Sequence, residues 1–88
     1  MQVDSTLEQR GNRYGAFKYH AGISQDLKAV MHGTENWGML PPSMRESLDM
    51  IVHKIARILN GDPFYADSWH DIAGYATLVD KELQGQIK

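Results

Sequence analysis

The sequence predicts an all-α protein: a small helical bundle of three main helices with a flexible N-terminal arm, completed by oligomerisation. Apolar side chains recur at helical spacing over three segments, and glycine- and proline-rich stretches separate those segments. The chain has 88 residues. A monomer of that length buries only about 60% of its unfolded surface, so we expect a homo-oligomer. The expected organisation is an arm over residues 1–13, a helical domain over 14–84 and a frayed tail over 85–88.

The first helix is predicted from Ala16 to His32, with apolar positions on one side and lysines opposite. His20 lies inside the apolar stripe, where an imidazole that shares a hydrogen bond is expected. Before this helix the chain carries few large apolar side chains, which favours an arm. Arg10, Arg13 and Tyr14, with Lys18 and His20 just beyond, form a locally basic cluster. Arg13 and Tyr14 are its candidate ligand contacts, because a ring stacks on a base while a guanidinium meets phosphate. Packing of Tyr14 on a neighbouring helix is the alternative.

The second and third predicted helices have clear boundary signals. A proline pair precedes the second helix, and Ser43 with Glu46 fits the S-x-x-E capping box. Asn60 and Gly61 tolerate the left-handed conformation and are expected to end this helix. A tight turn follows, and Asp67 is the expected N-cap of the third helix.

Composition and charge argue against several classes of function. The net charge of −2 gives no basic stripe, so generic nucleic-acid binding is not expected. The absence of cysteine excludes disulfides and thiolate metal sites. No apolar run is long enough to cross a bilayer and Met1 does not begin a signal-peptide pattern, so we expect no membrane partner and a cytoplasmic location.

Titratable side chains concentrate on the polar edges of the last two predicted helices. Two helices joined by a tight turn lie antiparallel, so these edges are expected to face each other. A single site is therefore predicted from groups of both helices. The set is Asp49, His53, Lys54, Arg57, Asp67, Asp71 and Tyr75.

Carboxylates one turn apart on a helix can hold Mg²⁺ against a phosphate, because this cation takes one or two protein carboxylates and leaves its remaining positions to water and substrate. Asp67 and Asp71, faced by Asp49, are the candidate metal ligands and, if the protein is an enzyme, its catalytic residues. Lys54 and Arg57 would neutralise phosphate charge. The alternative is that they pair with the aspartates and hold the helices together. The other candidate ligand-binding residues are His53, Tyr75, Arg13 and Tyr14.

The run MIVHKIARILNGDPFYADSWHDIAGYATLV, with RYGAFKYHAGISQDLKAVM upstream, resembles a family of small proteins encoded by bacteriophages and prophages. Longer relatives of that family resemble the MazG-like all-α nucleoside triphosphate pyrophosphatases. The likeness extends from Arg10 to Leu83 and is strongest at Lys54 and Arg57 and in D-S-W-x-D-I-A-G-Y. It implies a helical bundle, dimeric or higher, with a nucleotide site between helices, acting in the cytoplasm of a bacterial host.

The chain departs from the MazG-like metal motifs. Those enzymes hold Mg²⁺ with E-x-x-E on one helix and E-x-x-D on the next, whereas here the second motif reads Ser68-Trp69-His70-Asp71. Asp71 alone matches that motif, and the preceding helix offers Asp49. We therefore expect a phage-encoded protein that binds a nucleotide or a nucleotide-derived signal through a site whose metal ligands are degenerate.

Two other functions remain open from the sequence. One is an active Mg²⁺-dependent nucleoside triphosphate pyrophosphatase that uses Asp49, Asp67 and Asp71. The other is a non-enzymatic phage protein that binds a host protein, for counter-defence or host takeover, through Trp37, Trp69 and adjacent apolar surface.

Overall fold

Helices make up every regular element in the residues that the computed structural model describes, which are residues 2–86 without the side chains of Gln2 and Asp4. The all-α prediction is therefore confirmed. The three predicted helices are present, and the N-terminal segment adds a fourth. The helices are α1 (Gln2–Tyr14), α2 (Phe17–His32), a 3₁₀ turn (Asn36–Met39), α3 (Pro42–Asn60) and α4 (Ala66–Leu83).

The N-terminal segment forms helix α1 where the sequence suggested an arm. Its middle holds strong helix formers, including Leu7, Glu8 and Arg10, and these sustain a helix with little apolar burial. The helix ends at Gly15, whose φ of +77° suits glycine and whose N–H donates to Gly11 O at 2.9 Å. Met1 of the predicted arm lies outside the described residues.

Helix α3 is the centre of the fold. It packs against α2 on one flank and α4 on the other, while α1 makes a smaller contact with α2 and α3. Within residues 2–86, α2 and α4 have no extensive packing interface of their own. The result is an open layer of helices, and Val52 and Ala56 of α3 are its only fully buried apolar residues in the described chain.

The turn between α1 and α2 is locked to the end of α3. The Asn60 side-chain amide donates to Tyr14 O at 3.0 Å and to Ala16 O at 3.1 Å, so one side chain of α3 holds the carbonyls on both sides of the turn. Gly61 lies directly against the backbone of Tyr14. This contact fixes the start of α2 relative to α3.

Two predicted helix caps are absent. Helix α3 begins at Pro42, so Ser43 lies inside its first turn, and its hydroxyl donates to Glu82 Oε2 at 2.8 Å instead of capping. Helix α4 begins at Ala66 with no side-chain cap. Asp67 is in the first turn, where its negative charge complements the helix dipole. Both residues therefore lie inside their helices, where a side chain cannot act as the N-cap.

Ser43→Ala is expected to lower the free energy of unfolding by less than about 0.5 kcal/mol, because the exposed Ser43–Glu82 hydrogen bond competes with water. A true serine N-cap would cost about 1 kcal/mol. Urea denaturation followed by circular dichroism distinguishes the two values. A loss of about 1 kcal/mol or more would restore the capping-box interpretation.

The C-terminus of α4 closes with a Schellman motif. Gly85 has φ of +85°, its N–H donates to Glu82 O at 3.0 Å, and the Gln86 N–H donates to Lys81 O at 2.8 Å. The predicted frayed tail over 85–88 is thus, in its first half, a defined cap. Residues 87 and 88 of that tail lie outside the described residues.

None of the described helices combines the length and the hydropathy that a bilayer span requires. The longest, α3, has 19 residues and carries charged side chains along its length.

Candidate functional site

The three aspartates of the predicted metal site have three different partners. Asp49 accepts a hydrogen bond from His32 Nε2 at 2.7 Å, and Asp67 accepts one from the Tyr65 hydroxyl at 3.0 Å. Asp71 pairs with Lys54 Nζ at 3.0 Å. No three potential metal-ligating side chains gather anywhere in the described part of the chain. The structure therefore does not assemble Asp49, Asp67 and Asp71 into one site.

Lys54 and Asp71 instead join α3 to α4, as the alternative interpretation of the sequence expected. The Lys54 side chain is only 12% exposed and Asp71 covers its charge, so the pair belongs to the helix interface. Asp71 also lines an open hollow of about 460 Å³ on α4, together with Tyr75 and Gly74. A Cβ on Gly74 would meet nothing within 4 Å, so close helix packing does not explain this glycine.

Arg13 and Tyr14 take part in a cluster of two tyrosine rings, each covered by one guanidinium. The Arg57 guanidinium lies over the Tyr14 ring at 4.3 Å, and the Arg13 guanidinium lies over the Tyr65 ring at 4.9 Å. The two tyrosines meet edge to face with centroids 6.0 Å apart. The hydrogen bond to Asp67 raises the pKa of Tyr65. A base that stacked on this face of the Tyr14 ring would therefore have to displace the Arg57 guanidinium.

His53 belongs to a cluster of cationic groups between α2 and α3. Its ring lies 5.8 Å from that of His20, edge to face. Burial lowers the pKa of His53 to about 4, and the positive charges of Arg57, His20, Lys54 and Lys28 add to the effect. Burial, and then Arg57, also lowers the pKa of His20. Burial and the nearby Arg57 guanidinium therefore both favour the neutral form of these two imidazoles.

A cavity of about 340 Å³ opens beside this cluster, between α1, the start of α2 and α3. Arg10 reaches it from α1 and Arg57 from α3, while Phe17 and His20 reach it from α2. Phe17 is 72% exposed at its rim and contacts His20 edge to face at 5.1 Å. No aspartate or glutamate is among the described lining residues. We call this the α1–α2–α3 pocket; its lining is Leu7, Arg10, Gly11, Tyr14, Gly15, Ala16, Phe17, His20 and Arg57.

Two lining residues have buried polar atoms without a hydrogen-bond partner among the described residues. His20 is 4% exposed, and its Nδ1 is unpartnered. Arg57 Nε is unpartnered as well, while its guanidinium rests on Tyr14. Buried polar atoms are normally paired, so these two atoms indicate hydrogen-bonding capacity that a ligand or ordered water would use. The sequence predicted a hydrogen bond that would give His20 a structural role, and Nδ1 does not form it within the described chain.

The pocket combines predicted and unpredicted residues. Arg57 and Tyr14 were candidate ligand contacts from the sequence, Arg10 and His20 belonged to the locally basic cluster around Tyr14, and Phe17 was not a candidate. The sequence feature that pointed to these residues is the locally basic run that contains Arg10, Tyr14 and His20 and is interrupted by Gly15. Only the folding of α1 back onto α3 reveals that this run and Arg57 share one cavity.

The chain matches no protein-family model, no curated protein and no solved structure.

Proposed function

We propose that this protein binds a phosphate-bearing small molecule of the nucleotide class in the α1–α2–α3 pocket. The observation that carries the proposal is that Arg10 and Arg57 line the same cavity, whose described lining has no acidic residue. His20, with its unpartnered Nδ1, lies beside them. A phosphate group would accept hydrogen bonds from the guanidiniums of Arg10 and Arg57 and offset their positive charge. The resemblance to phage proteins of MazG-like ancestry favours the same class of ligand.

The size and the aromatic rim of the pocket support a nucleotide over a bare anion. Its volume of about 340 Å³ falls in the range of small-molecule sites, about 300–1,000 Å³. Phe17 at the rim offers an exposed ring on which a base can stack, and such stacking is worth about 1–3 kcal/mol. The arginines would then bind the phosphate deeper in the cavity.

Binding is better supported than Mg²⁺-dependent hydrolysis. A metal-assisted pyrophosphatase needs carboxylates that converge on the ions, and Asp49, Asp67 and Asp71 are each engaged elsewhere. The pocket lining supplies cations and aromatic rings, which bind phosphate without a metal. We accordingly propose a ligand-binding role for a chain that also associates with itself.

A host-protein-binding role is the second candidate. Phe64 is 88% exposed and Trp69 is 56% exposed, and both lie at or just after the turn between α3 and α4. Trp69 is held in place by its Nε1, which donates to Pro63 O at 2.9 Å. Fixed, exposed aromatic rings are the anchors that protein interfaces favour. Trp37, the other tryptophan predicted for this role, is instead half-buried and stacks on His32 with centroids 4.3 Å apart.

Calorimetric titration with AMP, ATP, adenosine and inorganic phosphate tests the binding proposal. We expect heat of binding for AMP and ATP, and at least about 10-fold weaker binding for adenosine, since it lacks the group that meets Arg57. The affinity for AMP, which itself binds Mg²⁺ only weakly, should be the same in EDTA and in Mg²⁺, because no described lining residue is a carboxylate. Absence of heat with every phosphate compound, or equal affinity for adenosine and AMP, would contradict the proposal.

Arg57→Gln should weaken AMP binding by about 10- to 100-fold, the loss expected for one charge-assisted hydrogen-bonded contact. Because Arg57 also packs on Tyr14, Arg10→Gln on the exposed side of α1 serves as a second variant with less effect on folding. Lys81→Gln removes the same charge outside the pocket and should leave the affinity unchanged. Wild-type affinity in both arginine variants would place the ligand elsewhere.

A further inference from the structure

An apolar stripe runs along the uncovered side of the central helix. Its members recur at spacings of four and three residues, so they share one side of α3. Leu48 is 39% exposed and Leu59 is 66% exposed, although both lie on the helix that forms the centre of the fold. The stripe comprises Met44, Leu48, Ile51, Ile55 and Leu59.

The stripe continues onto α4 across a shallow groove of about 270 Å³. Ala76 and Val79 form the α4 wall, and the lining is otherwise apolar apart from Ser47, whose hydroxyl donates to Tyr75 O at 3.4 Å. We call this surface the α3–α4 groove. Its lining is Leu40, Met44, Ser47, Leu48, Ile51, Ala76 and Val79.

The exposed area of the chain exceeds that of a compact monomer. A folded monomer of 10.0 kDa is expected to expose about 5,200 Å², whereas this chain exposes 6361 Å². The radius of gyration is 14.8 Å, against about 12 Å for a compact domain of this length. The excess of about 1,100 Å² is somewhat more than the roughly 800 Å² that each partner buries in a standard interface.

The core is correspondingly incomplete. Val52 and Ala56 alone are fully buried apolar residues within residues 2–86, because α2 and α4 flank α3 without closing over its stripe. A partner that covers the stripe would convert the open layer into a closed bundle. A second copy of the chain presents the same uncovered stripe, so two copies placed face to face cover each other's apolar side chains.

We propose that a second copy of this chain covers the α3–α4 groove, in a two-fold contact that places the stripe of one α3 against that of the other. The stripe holds no charged residue, so identical surfaces meet there without like-charge repulsion. Arg57 is two residues, about 200° of helical rotation, from both Ile55 and Leu59. The α1–α2–α3 pocket therefore stays open in the dimer, and this interface is independent of the proposed ligand.

Sedimentation equilibrium on the wild-type chain and on Leu48→Glu tests the interface. We expect a dimer for the wild type and a dissociation constant raised by about 100-fold or more for Leu48→Glu, because a carboxylate would be buried in an apolar contact. Phe64→Glu is the matched control: Phe64 is 88% exposed and lies outside the stripe, so dimerisation should persist. A monomeric wild type would overturn the proposal and leave the groove to another occupant, such as a host protein.

If Leu48→Glu fails to fold, cross-linking of cysteine variants tests the same interface. The chain has no cysteine, so a short bis-maleimide reacts only with an introduced thiol. Leu48→Cys should give a covalent dimer, and Phe64→Cys should not. A wild-type dimer that survives a folded Leu48→Glu, or that cross-links through Phe64→Cys alone, would show that the copies meet at another surface.

Discussion

Gly61→Ala is expected to lower the free energy of unfolding by about 3 kcal/mol, the upper part of the range for overpacking. An added Cβ would overlap the backbone of Arg13 and Tyr14. Those atoms cannot move aside easily, because the Asp62 N–H donates to Arg13 O at 2.6 Å and the Asn60 amide holds the Tyr14 carbonyl. The substitution would therefore separate the α1–α2 turn from the end of α3.

Urea denaturation of Gly61→Ala beside Gly22→Ala measures this effect. Gly22 lies inside α2, and a methyl group added there would meet no atom within 4 Å, so alanine should raise stability by about 0.5–1 kcal/mol. The two variants make the same chemical change with opposite expected signs. If both shift stability by similar amounts, Gly61 does not act through the close contact with Tyr14.

The sequence predicted the fold where local signals and burial agreed. The limits of α2, α3 and α4 follow from apolar periodicity bounded by glycine and proline, and each predicted boundary lies within a residue or two of the observed one. Helix α1 was missed because Val3 and Leu7 are its few large apolar residues and both are exposed, at 53% and 61%. Its helicity rests on residue propensity, which is a weaker signal than an apolar stripe.

The candidate site was predicted only in part because its residues come from distant segments. Arg57 and Tyr14 were identified, and the fold brings them together through the contact of Gly61 with the α1–α2 turn. The predicted aspartates were grouped by helical spacing and by the antiparallel arrangement of α3 and α4, which also gave the Lys54–Asp71 ion pair as an alternative. Neither signal reveals a partner on a third helix, such as His32, which reaches Asp49 from α2.

Acidification from pH 7 to about pH 4.5 is expected to destabilise the protein through His53. The folded state holds the pKa of this imidazole at about 4, below the ordinary 6.5, so between those values the unfolded chain binds more protons. Stability is therefore complete above pH 6.5 and falls as the pH drops toward 4. A full shift of that size corresponds to about 3.4 kcal/mol, and because His53 is only half-buried we expect roughly half of that.

His53→Gln should flatten the pH dependence between about 6.5 and 4.5, because glutamine keeps polarity and approximate size without binding a proton in this range. The matched control is His70→Gln, which removes an exposed imidazole from α4 and should leave the wild-type slope. His20, whose pKa is lowered in the same direction, would account for the slope that persists in His53→Gln. An NMR titration that follows the imidazole carbons measures the pKa of His53 independently of stability. Wild-type unfolding free energies that stay constant from pH 7 to about 4.5, or an identical slope in His53→Gln, would show that burial and the neighbouring cations do not hold His53 neutral.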